Sequence, residues 1–360
     1  MIKLKKDAKQ LELIKAIGSK NKTESLAAQE AFAAAVGPVI GQVLMQLGTA
    51  SMIYQDWEYG EDESPTFPLD FYYGEGAGEI SVWSTSKAGG LPSNWIESSG
   101  ELRFMPYPLE SAINFDKKYA RKTSAFNVLS KAVEHMINEI LIKQERQAWS
   151  TILRALGEAR SNGADHIIAA TTANVLQLDD FNRLLTLSKR INQSYAAGTP
   201  SSVYSKGITD LFMSPEMVQE IRGMAYNPQN ARAVPNEDES TAVPLPDSIR
   251  EEIYRNAGTS SIYGINVTEL QELGIGQKYN ILYNLYAPGG TFTVATDEVI
   301  VGADLSKGAF IRAVKTDGSG NASVNPDDQF LVRSEKVGFY TQIEEARVCL
   351  DGRAIQGLVV

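Results

Sequence analysis

Apolar residues recur at three- and four-residue steps through Leu26, Ala33, Val36, Ile40, Val43, Leu44 and Leu47, which predicts an N-terminal helix. Asn21 and Glu24 stand at capping-box spacing ahead of it, with Asn in place of the usual Ser or Thr. Gly37-Pro38 is expected to kink or split that helix, because a proline ring clashes with the preceding turn and offers no N–H. A longer stripe follows, in which Phe126, Leu129, Val133, Met136, Ile137, Ile140, Leu141, Ala148, Ile152 and Leu156 share one face. Lys131, Glu134, Asn138, Glu139, Lys143 and Glu145 fall on the other side, and Glu139–Lys143 has the favourable i,i+4 order. The spacing predicts one amphipathic helix of about 30 residues, roughly 45 Å long, as the spine of an elongated molecule.

Between the two helices the period changes. Phe67, Leu69, Phe71 and Tyr73 alternate at strand spacing, and so do Ile80 and Val82. From Gln55 to Glu110 prolines and glycines punctuate a stretch rich in aromatics, among them Trp57, Trp83 and Trp95. This predicts an extended β-hairpin with a glycine-rich tip. A two-stranded hairpin is marginal in water by itself, so it needs a surface to lie on, either the rest of this chain or a neighbour. An ordinary small β-subdomain accounts for the same pattern.

Beyond the spine the chain reads as a polar, flexible segment from Ser161 to Asn174 and a helix around Asp179 to Tyr195. A strand starts at Asp210, and Ser214-Pro215-Glu216 then opens a helix as N-cap, N1 and N2. Residues Asn227 to Pro246 form a loop rich in proline, asparagine and acidic side chains. The final third predicts strands at Gly264–Leu270, Tyr279–Tyr286, Thr291–Val294, Val299–Val301, Ala309–Val314 and Phe330–Leu350. Gly289-Gly290 and Asp317-Gly318 mark turns between them.

Composition narrows the class. At 360 residues and 43% hydrophobic content, the chain can bury one large core or two modest ones. A formal net charge of −10 means that its overall field does not attract nucleic acid. Cys349 is the single cysteine, so no internal disulfide forms. The basic start leads into no apolar run of signal-peptide or bilayer-spanning length, and synthesis in a reducing cytoplasm is the expectation.

Candidate chemistry is sparse. His135 and His166 are isolated, the first reading as a solvated or interface side chain and the second as a loop residue. One cysteine and two separated histidines make no zinc-type ligand set by spacing, so neither metal nor cofactor is expected. Gly74–Glu79 lacks the third glycine of a dinucleotide loop and reads better as a hairpin tip. Asp56, Glu58, Glu61, Asp62 and Glu63 form an acidic run, suited to a solvated loop, a cation or a neighbour's basic group. Lys3, Lys5, Lys6 and Lys9 make a basic N-terminal tip, by default solvated.

The order of these parts resembles the tailed-bacteriophage major capsid proteins of the Hong Kong type, the Johnson fold. Gly100–Glu110 resembles the return strand of that family's extended arm, and Ile113–Thr123 with the long helix resembles the entry to its peripheral domain. Leu211–Glu216 resembles a strand-helix unit of its axial domain; Val299–Asp304 and Ala309–Val314 resemble the late axial strands. Phe330–Phe339 and Ala346–Leu350 resemble the strands that close the fold.

The resemblance implies an α+β chain with an N-terminal arm (1–54), an extended β-hairpin arm (55–110) and a peripheral domain (111–175) holding the spine at about 126–156. An axial domain (176–328) and closing strands that return to the peripheral domain (329–360) complete it. It implies a non-enzymatic subunit of an icosahedral virion shell around double-stranded DNA, made in the bacterial host cytoplasm and joined into hexamers and pentamers. Its implied partners are a separate scaffolding protein, a portal, a decoration protein and weakly held packaged DNA, with no membrane. Trp57, Phe67, Phe71, Trp83 and Trp95 are the candidate inter-subunit contacts, since aromatics dominate interface hot spots. A lysine on the arm forms an isopeptide crosslink in a few such capsids, but nothing marks an acceptor for Lys87. Three readings compete: an encapsulin-like nanocompartment of the same fold, a tail-tube or sheath subunit, and an enzyme with an unrecognised carboxylate site.

Overall fold

A computed structural model describes residues 8–46, 48–60, 63–68, 101–120, 125–161, 164–195, 207–226, 248, 251, 261–289, 292–316, 323–327 and 336–360. The chain divides into two compact units. The first holds residues 1–66, 103–148 and 311–348; the second holds 67–102, 149–310 and 349–360.

The first unit packs helices on one face of a mixed sheet. Strand Lys336–Cys349 is its axis, pairing antiparallel along Tyr107–Asp116, from Lys336 opposite Asp116 to Glu345 opposite Tyr107. Ser323–Asp327 pairs antiparallel with the same strand, and Gln55–Gly60 is the outermost strand, parallel to Phe310–Thr316. Two N-terminal helices, Ala8–Ile17 and Lys22–Gln46, cover the sheet together with the first part of the long helix Ala125–Glu158. Ile17, Phe32, Val36, Met136, Ile137, Ile140, Val337 and Phe339 meet in one core, with the rings of Phe32 and Phe339 5.3 Å apart. The helix at Lys22 starts as its sequence requires, because Asn21 Oδ1 accepts from the Thr23 N–H at 3.3 Å. Glu24 accepts instead from the Ser19 hydroxyl at 2.9 Å, so the cap is a relay rather than a reciprocal box. The expected split at Gly37-Pro38 does not occur, since the helix runs on to Gln46. One missing donor is absorbed by the rest of a 25-residue helix.

The second unit is built on a six-stranded sheet in the order Ile167–Ala169, Ile355–Val359, Val299–Ala303, Asp210–Met213, Ile265–Glu269, Ser261–Ile262. Its central strands, Asp210–Met213 and Val299–Ala303, are buried at every position. That is why Leu211–Met213 and Val299–Ala303 read as continuous apolar runs rather than as alternation. Helices Leu178–Tyr195 and Pro215–Tyr226 bury Phe181, Leu184, Met217, Val218 and Ile221 against Leu211, Ile300 and Leu358. Ser214 caps the second of these as expected, its Oγ accepting from the Met217 N–H at 3.2 Å. The last turns of the long helix, residues 149–158, belong to this unit, and Trp149, Ile152, Leu153 and Leu156 are all buried.

Several expectations are corrected here. Tyr279–Tyr286 is not a strand: Lys278–Asn284 is helical, and Tyr279, Asn280 and Tyr283 are buried at helical spacing. Tyrosine and isoleucine favour strands, but packing of that face on Trp149 and Phe292 overrides propensity. Phe292–Val294 lies in a turn closed by the Asp297 N–H on Thr293 O at 2.8 Å. The closing residues also part company, because Lys336–Cys349 joins the first sheet whereas Ile355–Val359 inserts into the second unit's sheet. The expected domain bounds shift with them: residues 111–175 divide after Ala148 and residues 176–328 after Phe310. The two ends of the expected arm, Gln55–Gly60 and Tyr107–Glu110, are strands of the first sheet, held by its ladder hydrogen bonds.

Gly157 shows how tightly the second unit is packed. A Cβ there would sit 2.5 Å from the backbone oxygen of Tyr286. Gly157→Ala removes a helix-weakening glycine, yet it is expected to lower stability by about 1–3 kcal/mol, because the obstructing atom is main chain. Chemical denaturation of the isolated subunit checks this, and a stabilised variant would show that the segment at Tyr286 yields.

Candidate functional site: surfaces and buried polar groups

Of the five aromatic contact candidates, Phe71, Trp83 and Trp95 lie outside the described residues. Phe67 keeps 7% of its surface exposed within its own chain, which leaves little for a neighbour. Trp57 is half-buried on the outermost strand, its ring 6.0 Å from Tyr59 and 5.6 Å from Phe104. Burial, reinforced by the charge of Glu344, pushes the Tyr59 phenol up to about 12. The acidic run is partly structural. Asp56 forms a bidentate pair with Arg312 at 2.6 Å per bond, and Glu63 accepts from the Gly60 N–H at 3.0 Å. Lys3, Lys5, Lys6, Lys87 and Gly74–Glu79 lie outside the described residues.

A buried polar network, which sequence reading missed, crosses the first unit. Glu345 Oε1 accepts from the Tyr107 hydroxyl at 3.4 Å, and its Oε2 accepts from Gln144 Nε2 at 3.1 Å. Arg347, two residues along the same strand, pairs with Glu345 at 3.2 Å and donates to Gln144 O at 3.1 Å. Its guanidinium lies 5.2 Å above the Tyr54 ring, and the Tyr54 hydroxyl donates to Ala148 O at 3.0 Å. Burial, then the charge of Glu345, pushes the Tyr107 phenol well up. Glu345 and Arg347 side chains are 1% and 4% exposed, so the pair ties strand to helix and offers nothing to a substrate.

His135 is exposed, as expected for a solvated side chain. His166 is not a surface loop residue. It is fully buried against the segment Gly352–Ile355, with Nδ1 2.9 Å from Gly352 O and 3.1 Å from Ile355 O. Two carbonyl acceptors make Nδ1 the protonated nitrogen. Burial lowers its pKa, against the raising effect of those bonds and of Asp351 and Asp165. The unfolded chain therefore takes up a proton below about pH 6.5 that the folded chain refuses. Stability is expected to fall as the pH drops below about 6.5 and to stop falling once the pH passes the lower folded value. His166→Asn keeps a donor for the carbonyls but does not titrate. Thermal melts between about pH 8 and 5 should show a flatter decline for this variant, and parallel declines would remove His166 as the cause.

Glu298 is another buried ionisable group of the second unit. It accepts from Ser214 Oγ at 2.5 Å and from the Ile275 N–H at 3.2 Å, and burial, with Glu216 and Glu220 nearby, raises its pKa. These bonds fasten a turn to one end of the six-stranded sheet. Cys349 is held protonated, burial pushing its thiol up to about 12. Among the described residues no group of three His, Cys, Asp or Glu is placed to hold a metal ion, and no helix is long and apolar enough to cross a membrane.

The exposed surface carries apolar side chains instead. Met52, Met105, Ile142 and Tyr340 stand out in the first unit, and Tyr263, Ile275, Ile281 and Leu285 in the second. No family model matches the chain, and no curated protein matches it. Solved structures do. The capsid of an empty GTA particle aligns over 87% of this chain and 90% of its own, at 13% identity and a TM-score of 0.52. The capsid of cyanophage P-SCSP1u aligns over 85% of this chain and 86% of its own, at 12% identity and a TM-score of 0.51. An encapsulin complex from Synechococcus elongatus PCC 7942 aligns over 87% of this chain and 88% of its own, at 11% identity and a TM-score of 0.44. The likenesses to the two capsids show the fold, which is the Hong Kong-type capsid fold.

Proposed function

On this fold, we propose that the chain is the major capsid protein of a tailed bacteriophage, a structural subunit whose copies close into an icosahedral shell around double-stranded DNA. The observation that carries the reading is the alignment of more than four-fifths of the chain, at TM-scores of 0.52 and 0.51, with two capsid proteins. In this reading the unit with the six-stranded sheet is the axial domain and the helix-covered sheet is the peripheral domain. The arm of this reading runs between strands Gln55–Gly60 and Tyr107–Asp116, which stay in the subunit's own sheet, and Phe71, Trp83 and Trp95 anchor it on a neighbour. The chain is not an enzyme in this reading and makes or breaks no bond. Its work is free energy of association, in which weak contacts are multiplied by copy number. A net charge of −10 leaves the packaged genome weakly held. Hexamers and pentamers, a separate scaffolding protein, a portal and a decoration protein complete the assembly, formed in the host cytoplasm.

Electron microscopy of the purified, concentrated chain tests this. Closed shells, or sheets of five- and six-fold rings, are the expected result. A strictly monomeric protein at every concentration would overturn it. Nuclease-resistant DNA inside native particles separates this reading from a nanocompartment, which would carry an enzyme.

A further inference from the structure

Two exposed apolar features stand at opposite ends of the six-stranded sheet. The first is a hairpin tip. Ile262 pairs with Ile265, so Tyr263 and Gly264 form a two-residue turn, with φ of 53° and 77°. Two successive positive φ values define a type I′ turn, which favours Asn-Gly. A bulky aromatic at positive φ is strained, and Tyr263 is 49% exposed. Strain kept at an exposed tip contributes nothing to the fold, and that points to a contact. The tip lies at the sheet end marked by Ala303 and Asp210, because Asn266 pairs with Asp210 and Asp210 with Ala303.

The second feature lies at the other end. The Ile275 N–H bonds to Glu298, the residue before Val299, and Asn280 Nδ2 donates to Asp297 O at 3.0 Å. Helix Lys278–Asn284 thus begins where strand Val299–Ala303 begins. It buries Tyr279 and Tyr283 and turns out Ile281 and, one turn on, Leu285, exposed by 49% and 71%; Ile275 is 49% exposed.

We propose that Tyr263 of one copy seats on the Ile275–Ile281–Leu285 patch of the next, as a head-to-tail contact that builds rings. This rests on the shell reading. Knob and patch stand at opposite ends of one unit, so a second copy is the occupant that supplies both. Residues 261–267 carry no charge, and Lys278 is the single charge from Ile275 to Tyr286, so neither side buries an unpaired ion when they meet. A contact of one ring on three aliphatic side chains falls well short of the roughly 1,200 Å² of a stable pair. It therefore acts in closed sets, and a heterologous contact that closes generates a ring.

Tyr263→Asn separates fold from assembly, since asparagine suits the turn but lacks the ring. The isolated variant should melt at or above the wild-type temperature, while the concentration needed for shells rises by about 10-fold or more. Leu285→Asp should do the same, and the double variant should be no worse than the poorer single. Tyr263→Cys with Ile281→Cys should give a ladder of crosslinked multimers on oxidation of assembled protein, absent from each single variant. Normal assembly by Tyr263→Asn, or shells without a ladder, would overturn this contact and leave the shell reading standing. Wild-type protein that never assembles would overturn both.

Discussion

Glu345→Ala is expected to destabilise the isolated subunit by about 3–5 kcal/mol, the penalty for stranding one member of a buried ion pair. The substitution removes the acceptor of Tyr107, Gln144 and Arg347 together, and the Arg347 side chain, 4% exposed, cannot reach water without moving the strand that carries it. The pair is expected to matter for what it prevents more than for what it adds. Glu345→Leu combined with Arg347→Met should therefore recover most of the loss, because neither leaves an uncompensated charge. Urea denaturation of the wild type, the single variant and the double variant measures this. A single variant within about 1 kcal/mol of wild type would show that water enters the site and solvates Arg347.

Trp149→Ala is the second large effect, about 3–5 kcal/mol. Trp149 is completely buried, edge-on to Phe212 at 5.2 Å and stacked on Tyr279 at 5.6 Å. It joins the end of the long helix to a central strand and to helix Lys278–Asn284, so its loss leaves a cavity with walls on three elements. Trp149→Phe fills part of that space and should restore more than half of the stability. If it restores none, indole-specific packing rather than volume holds the site. The circular dichroism of the alanine variant distinguishes local loosening from loss of the second unit.

The long helix at nearly its observed bounds, the Ser214 cap, and the strands at Val299 and Ala309 are legible in the sequence. Each is written in residues that neighbour one another along the chain. Tyr279–Tyr286 is not, because tyrosine and isoleucine at short spacing satisfy both periods, and only the burial of Tyr279 and Tyr283 against Trp149 and Phe292 decides between them. His166 looked like a loop residue because its neighbours are Gly163, Ala164 and Asp165; the chain that buries it arrives 186 residues later, at Gly352. The network of Glu345 with Tyr107 and Gln144 spans 238 and 201 residues, and no local pattern could join them. Tyr263 does carry a local signal, a Tyr-Gly pair where a tight hairpin prefers Asn-Gly, but that pair marks a turn only once its flanking strands are known.

By itself the sequence determined which segments are amphipathic, where helices begin, that no internal disulfide can form, and that the order of parts resembles a capsid subunit. Those are short-range properties, set by side-chain period and by the backbone needs of proline, glycine and capping residues. The tertiary structure alone decided how the last strands divide between two sheets, which polar groups are buried in pairs, and which apolar side chains remain outside. Burial is the reason, because whether a residue is paired, strained or free for a partner depends on segments a hundred or more positions away, brought against it only when the cores close.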